Sequence, residues 1–425
     1  MSSSLVTGSS LPHTVTAPAV AQHPGWQDDE AVHDVTRRLA GYLPLVLPAE
    51  CDRLTARMAA VASGEAFLLQ GGDCAETFDA LSAESVAAKL DTLLAMAGSL
   101  TAGTRLPVVV VGRIAGQYAK PRSQPTEVRD DVALPAYRGD AVNGLEFSAA
   151  LRTPNPYRML RMYGAAAATL NSIRALSAVA VGPGTAIEAD LPLRPREFFV
   201  SHEALLLDYE RALTRLDPRT GARYAGSAHL LWAGERTRQT DGAHIDYLAG
   251  IANPVAVKLG PRATPDEALE LVRRLAPDAE PGRLTFVVRM GADRVREALP
   301  DLVDRVTASG ARVGWVCDPM HGNTFTAPSG HKTRAFSDIL AEIAGFFEVH
   351  RSLGTHPGGI HVEMTGEDVT ECVGGGGGTG LGDLPLRYAS ACDPRLNREQ
   401  SLELGRLAAR IAGRGRSHTR TPNRP

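Results

Sequence analysis

The stretch RVGWVCDPMHGNT, Arg312–Thr324, decides how the chain is read. Its first half is a short apolar run around Val313 and Val316, the mark of a buried strand. The run breaks at Asp318-Pro319, because a residue before proline is driven out of helical geometry and proline cannot extend a ladder. His321 follows, then the turn pair Gly322-Asn323. A buried strand thus ends by presenting an aspartate and a histidine on a tight loop, as catalytic groups are presented at the top of a parallel barrel. Alone, the segment is equally compatible with a strand and an ordinary polar turn. The other apolar runs tip the balance, since nearly all of them end the same way.

There are eight such runs, at 66–70, 107–112, 197–202, 228–232, 254–259, 284–288, 312–317 and 359–364. AFLLQ stops at Gly71-Gly72 and leads into Asp73, Cys74 and Glu76. PVVVVG delivers Arg113, and the loop Ala115–Ser123 then packs Lys120, Arg122 and Ser123 closely together. EFFVSH ends at His202-Glu203, and AHLLW leads to Glu235, Arg236 and Arg238. PVAVKL holds Lys258 inside an apolar strand, where a lysine is rarely tolerated without a partner or a task. LTFVV delivers Arg289. In GIHVEM the alternation aims His361 and Glu363 to one side.

Helical spacing is read over Asp28–Tyr42, Ala49–Ala62, Ala83–Ser99, Arg158–Leu176, Ala204–Leu216, Pro265–Leu275, Asp293–Ala308 and Phe336–Arg351. Leu134–Asn155 reads as loop, Val181–Arg196 as connector and Gly374–Gly378 as a flexible glycine loop. Strands alternating with helices imply right-handed parallel βα units, and eight of them imply an α/β (β/α)8 TIM barrel. A doubly wound open sheet is disfavoured, because no GxGxxG or P-loop pattern follows an early strand. The expected organisation is a flexible tail over 1–25, an N-terminal helical extension over 26–65, the barrel over 66–412 and a second tail over 413–425.

The 425 residues are 44% hydrophobic and 22% charged, ordinary for a globular protein. A net charge of −3 supplies no basic field for nucleic acid and no polybasic membrane patch. No apolar run is long enough to span a bilayer, and the first twenty residues lack the layout of a secretory signal. Cys51, Cys74, Cys317, Cys372 and Cys392 are scattered and odd in number, which points to a reducing, cytoplasmic setting rather than a disulfide framework.

The groups at the strand ends fall into two sets. Cys74, His321, Glu363 and Asp393 supply one thiol, one imidazole and two carboxylates, a combination suited to a borderline divalent metal. Arg113, Arg236, Lys258 and Arg289 are more cations than one carboxylate needs, and suit a small substrate bearing both phosphate and carboxylate. Lys120, Arg122 and Ser123 could hold a second phosphate. A metal and two anion sites suggest chemistry that joins two phosphorylated small molecules.

The blocks QGGDCAETF, GRIAGQYAKPRS, LWAGERTRQTDGAHIDYL, VKLGP, VVRMG, CDPMHGNT, GGIHVEMTGEDVTECVGG and YASACDPRLN resemble those of type II 3-deoxy-D-arabino-heptulosonate 7-phosphate (DAHP) synthases, in order from about Trp26 to Leu404. The resemblance implies a TIM barrel that condenses phosphoenolpyruvate with erythrose 4-phosphate, opening the shikimate pathway. It assigns the metal to Cys74, His321, Glu363 and Asp393, with Mn2+ or Co2+ first and Zn2+ or Cd2+ as alternatives. Phosphoenolpyruvate falls to Arg113, Glu235, Arg236, Lys258 and Arg289, and erythrose 4-phosphate to Lys120, Arg122, Ser123 and Lys332. Lys258 or Glu235 would manage the protons of the water that adds at C2. The resemblance further implies a homo-oligomer, dimer or tetramer, and for some members a chorismate mutase partner. Longer members carry an extra helical pair between the positions of Arg174 and Glu197, forming an aromatic amino-acid inhibitor site. Its absence here implies weak or no inhibition by tryptophan and phenylalanine, and a place in secondary metabolism. The same chemistry on an imino analogue of erythrose 4-phosphate, a metal-dependent sugar-phosphate aldolase and a non-catalytic, partner-binding relative are the competing readings. Cys392, beside Asp393, reads first as an ordinary buried thiol and second as half of a reversible disulfide with Cys74.

Overall fold

Eight parallel strands close into a barrel in the computed structural model, which describes residues 20–179 and 197–414. They are β1 (Phe67–Gly72), β2 (Val108–Arg113), β3 (Phe199–Glu203), β4 (Leu230–Ala233), β5 (Val255–Leu259), β6 (Leu284–Val288), β7 (Gly314–Cys317) and β8 (Gly359–Glu363). Each pairs with its neighbours in sequence, and β8 closes on β1. All eight apolar runs are strands, so the (β/α)8 expectation holds. The expected connector at 181–196 lies outside the described residues, as do 1–19 of the expected tail 1–25 and 415–425 of the expected tail 413–425.

The helices are α1 (Asp29–Ala40), α2 (Pro48–Ala62), α3 (Ala83–Thr104), α4 (Arg158–Val179), α5 (Leu207–Leu213), α6 (Ala243–Ala249), α7 (Pro265–Leu275), α8 (Val295–Ala308), α9 (Phe336–Ser352) and α10 (Arg398–Gly413). Their starts are chemically marked. Asp28 caps α1, and Thr264 and Glu267 form a reciprocal capping box on α7 behind Pro265. The ring closes where α10 packs on α3, close enough that a Cβ on Gly103 would strike Ala409.

Two expectations are corrected. The helix read over Ala204–Leu216 is only Leu207–Leu213; Thr214–Leu216 turns into a hairpin with Arg223–Ala225, closed by the Asp217-Pro218 turn. Leu134–Asn155 is not all loop, since Val132–Pro135 pairs with Thr126–Arg129 and Ala149–Arg152 forms one helical turn. Helices α6 and α10, and the hairpin Thr324–Thr326 with Lys332–Arg334, were not read from the sequence.

Inward-facing side chains alternate along each strand, so the barrel fills in layers. The lowest layer joins Leu68, Val109, Phe199, Leu230, Ala256 and Val316 to Leu54, Met58 and Val61 of α2, which closes the bottom of the barrel. Above it lies a polar layer of Gln70, Ser201 and His361, all buried. Two residues further along the strands come Arg113, Glu203, Lys258 and Glu363. The period of two therefore lifts every charged inward group to the carboxyl-end rim.

Candidate active site

The polar layer is a directional hydrogen-bond chain. Burial holds the His361 imidazole well below its usual titration range, aided by nearby Lys258 and Arg113, so the ring is neutral and carries one N–H. Arg113 Nη1 lies 2.7 Å from its Nε2, which must accept. Nδ1 then donates to Gln70 Oε1 at 2.8 Å, Gln70 Nε2 donates to Ser201 Oγ at 2.9 Å, and Ser201 Oγ donates to the Gly112 carbonyl at 3.0 Å. The Arg113 guanidinium is thus fixed from below, over the Trp232 ring at 5.4 Å.

Glu363 is fully buried and carries several cationic or potentially cationic partners. Its carboxylate accepts from Arg113 Nη2 at 3.0 Å and Arg334 Nη2 at 2.8 Å, and His321 Nε2 lies 3.1 Å away. Burial alone would raise its pKa; His321, Lys120, Arg334 and Arg113 more than reverse that and hold it well below the carboxylate range. Donor atoms of Cys74, Glu363 and Asp393 lie within 4.8 Å of one another. With His321 beside Glu363, the set of sulfur, nitrogen and two carboxylates fits a borderline divalent ion. The site's demand for positive charge is visible in Lys120, whose Nζ lies 2.6 Å from Cys74 Sγ and 2.7 Å from Asp393 Oδ2.

Above this cluster opens a cavity of about 370 Å³. Eight arginines and lysines line it against three carboxylates. Among the thirteen residues singled out from the sequence, Arg113, Lys120, Arg122, Ser123, Glu235, Arg236, Lys258, Arg289, His321, Lys332 and Asp393 all face it, with Cys74 and Glu363 directly beneath. Lys332 Nζ also reaches Asp393 Oδ1 at 3.1 Å. Lys120 stands apart from Arg122 and Ser123, its ammonium turned to the thiol–carboxylate cluster. Arg113 Nε and Arg289 Nε are buried without a hydrogen-bond partner, donors that an anion would satisfy.

Lys258 Nζ donates to Asp318 Oδ2 at 2.7 Å. Burial lowers the lysine's pKa, and Asp318 opposes that shift. Asp318 also lies 2.8 Å from His321 Nδ1, setting the ring so that Nε2 faces Glu363. Glu235 is held differently: its Oε2 accepts the Gly260 N–H at 2.7 Å and Arg238 Nε at 3.2 Å. Burial raises the pKa of the Cys74 thiol, and neighbouring Cys392 adds to the rise.

The loops are fixed by buried carboxylates. Glu76 accepts the backbone N–H groups of Ala115, Gly116 and Gln117, anchoring the segment that carries Lys120 to Ser123. Glu371 accepts those of Ala389, Ser390 and Arg395, anchoring Asp393. Near the chain start, Gln22 Oε1 accepts the Arg122 N–H at 2.9 Å.

Sequence reading left Glu203 and Asp318, at or just beyond a strand end, and His361, in the layer beneath the rim, without roles. Arg334, on a short hairpin outside any apolar run, had no sequence signal.

A (β/α)8 barrel whose rim joins a metal-competent thiol–carboxylate cluster to a cationic cavity defines an enzyme acting on small anionic metabolites. Comparison with known proteins narrows the class. The chain belongs to the class-II DAHP synthetase family, whose model matches residues 11–191 and 180–409. It is therefore a 3-deoxy-7-phosphoheptulonate synthase, condensing phosphoenolpyruvate with erythrose 4-phosphate at the first step of the shikimate pathway. It is 57% identical to a phospho-2-dehydro-3-deoxyheptonate aldolase of Streptomyces coelicolor over 92% of this chain and 95% of that protein. Identity to the corresponding protein of Mycolicibacterium smegmatis is 48%, over 94% of each chain. The solved phospho-2-dehydro-3-deoxyheptonate aldolase of Francisella tularensis shares the fold, with a TM-score of 0.53 at 12% identity, covering 90% of this chain and 97% of that one. Among the described residues no helix is long and apolar enough to cross a membrane.

Proposed function

We propose that the rim cavity holds both reactants side by side. Phosphoenolpyruvate lies against Arg113, Arg236, Lys258 and Arg289, and the phosphate of erythrose 4-phosphate against Arg122, Ser123 and Lys332. The observation that carries this reading is the sharing of Arg113 between the cavity and Glu363, which places the cationic pocket and the ligand cluster in contact. Cys74, His321, Glu363 and Asp393 would hold one divalent ion, Mn2+ or Co2+ by preference, which supplies Lewis-acid polarisation of the aldehyde when bound. The arginines neutralise the two phosphates and hold C3 of phosphoenolpyruvate against the aldehyde carbon. Attack from C3 forms the new carbon–carbon bond, water adds at C2, and phosphate departs by cleavage of its bond to that carbon. Lys258, its ammonium made easier to deprotonate by burial, is better placed to move the water's proton than Glu235, which Arg238 and Gly260 already occupy. The enzyme works in the cytoplasm as a homo-oligomer, with a chorismate mutase as a partner open to direct test.

Mixing both reactants with Mn2+ is expected to release inorganic phosphate, whereas either alone releases none and chelation stops the reaction. An aldolase would release no phosphate, and that outcome would overturn the proposal.

Glu203 offers a second measurement. Burial holds its carboxyl above the ordinary range, although Lys258, Lys120, Arg113 and Arg236 pull it down. An anion entering among those cations offsets their pull and raises the carboxyl further, so binding takes up a proton. Calorimetry of phosphoenolpyruvate binding across a range of pH, in buffers of different ionisation heat, is expected to show that uptake, and Glu203→Gln to remove it. Equal uptake in the variant would exclude Glu203 as its source.

A further inference from the structure

Glu342 takes no part in the chemistry above, yet it is fully buried on the barrel-facing side of α9. Its Oε1 accepts the backbone N–H of Met290 at 2.7 Å and of Gly291 at 2.9 Å. Its Oε2 accepts Asn323 Nδ2 at 2.7 Å. Met290 and Gly291 belong to the loop after β6, Asn323 to the loop after β7. Asn323 ties the same two loops again, since its Oδ1 accepts the Ala292 N–H at 2.9 Å and its Nδ2 also donates to the Pro319 carbonyl at 2.8 Å. Arg289 Nη2 reaches the His321 carbonyl at 2.5 Å, and the loops approach so closely that a Cβ on Gly322 would meet the Gly291 backbone.

Three donors converge on one side chain, and an ionised carboxylate accepts from all of them. Burial pushes its carboxyl up to about 7, and the three donors work against that rise. Glutamine would turn an NH2 group towards another donor, and aspartate would fall one methylene short. Glu76 and Glu371, by contrast, each gather donors from one continuous segment.

We propose that Glu342 is a positioning residue that locks the Arg289 loop to the His321 loop, setting an arginine of the phosphoenolpyruvate site and a metal-binding histidine as one rigid unit. This rests on the ligand assignments proposed above for Arg289 and His321. Affinity for the two ligands then depends on a group that touches neither of them.

The test compares the full-length enzyme with Glu342→Gln, Asn323→Ala and Glu371→Gln in mildly alkaline buffer. Mn2+ affinity is measured without substrate from the resonance of the free ion, phosphoenolpyruvate affinity by calorimetry, and kcat and KM separately. Glu342→Gln is expected to weaken both ligands by about tenfold or more, with a much smaller change in kcat at saturation. Asn323→Ala is expected to weaken the same two by less. Glu371→Gln, which loosens only the Asp393 loop, is expected to weaken Mn2+ and leave phosphoenolpyruvate unchanged. Loss of only one ligand, or of neither, in Glu342→Gln would overturn the proposal. If that variant does not fold, Asn323→Ala decides on the same criterion, its side chain being only partly buried on a loop. Arg289→Ala and His321→Ala are run beside them: if these leave their own ligands' affinities intact, the ligand assignments have failed rather than the lock.

Discussion

Glu363→Ala is expected to lower turnover by roughly 10³-fold or more, to lose bound divalent metal and to unfold at markedly lower temperature. The cause is charge accounting in a dry place. Glu363 is fully buried, and Arg113, Arg334, His321 and Lys120 all converge on its two oxygens. Removing the carboxylate leaves two buried guanidiniums facing a methyl group, and breaking a buried ion pair from one side costs about 3–5 kcal/mol. It also removes one of the three donor atoms that lie within 4.8 Å of one another. Activity, metal content per chain and melting temperature are the three readings. Near-normal activity from a metal-stripped Glu363→Ala sample would refute both the metal assignment and the mechanism built around it.

Lys258→Met should be nearly as damaging to turnover, by about 10²–10⁴-fold, because it deletes the group assigned to proton movement. Its structural cost is separable. Asp318 is fully buried and loses its 2.7 Å ammonium partner, but keeps His321 and the backbone N–H groups of Met320 and His321. A stability loss of about 3–5 kcal/mol is expected for the single variant. Adding Asp318→Asn removes the stranded charge, so the double variant should regain part of the melting temperature and none of the activity. Lys258→Arg should not rescue, since a planar fork does not replace a point charge in a barrel interior. A Lys258→Met enzyme with wild-type kcat would transfer the proton role elsewhere, with Glu203 and Glu235 the residues to examine.

The architecture was legible because buried parallel strands are short continuous apolar runs, and every one of the eight stands out from its surroundings. The site was legible for the same reason: alternation along a strand of known direction puts the last polar residue on the rim, as with Arg113, Lys258 and Glu363. Glu203, Asp318 and His361 escaped a role although they lie in or directly after such runs, and the rest of what escaped came from segments without one. Arg334 sits on a three-residue strand whose pairing appears only in the folded chain. Glu342 did leave a trace, since Ile339, Ile343 and Phe346 place it on the apolar stripe of α9, where an acid needs partners. Lys120 shows a different limit. Its neighbours in sequence suggested a phosphate, whereas its ammonium turns to Cys74 and Asp393, a choice made by the surrounding charges rather than by spacing.

Because Leu54, Met58 and Val61 of α2 seal the floor of the barrel, traffic among the described residues runs through the rim cavity. Two sugar-derived reactants must go in, and a longer sugar and a phosphate ion must come out, past the same ring of lysines and arginines. Seated side by side, the two reactants must each enter past the other's place, and both products leave by the same way. Competition between incoming reactant and outgoing product for one opening would then be a property of the basement, not of the catalytic groups overhead.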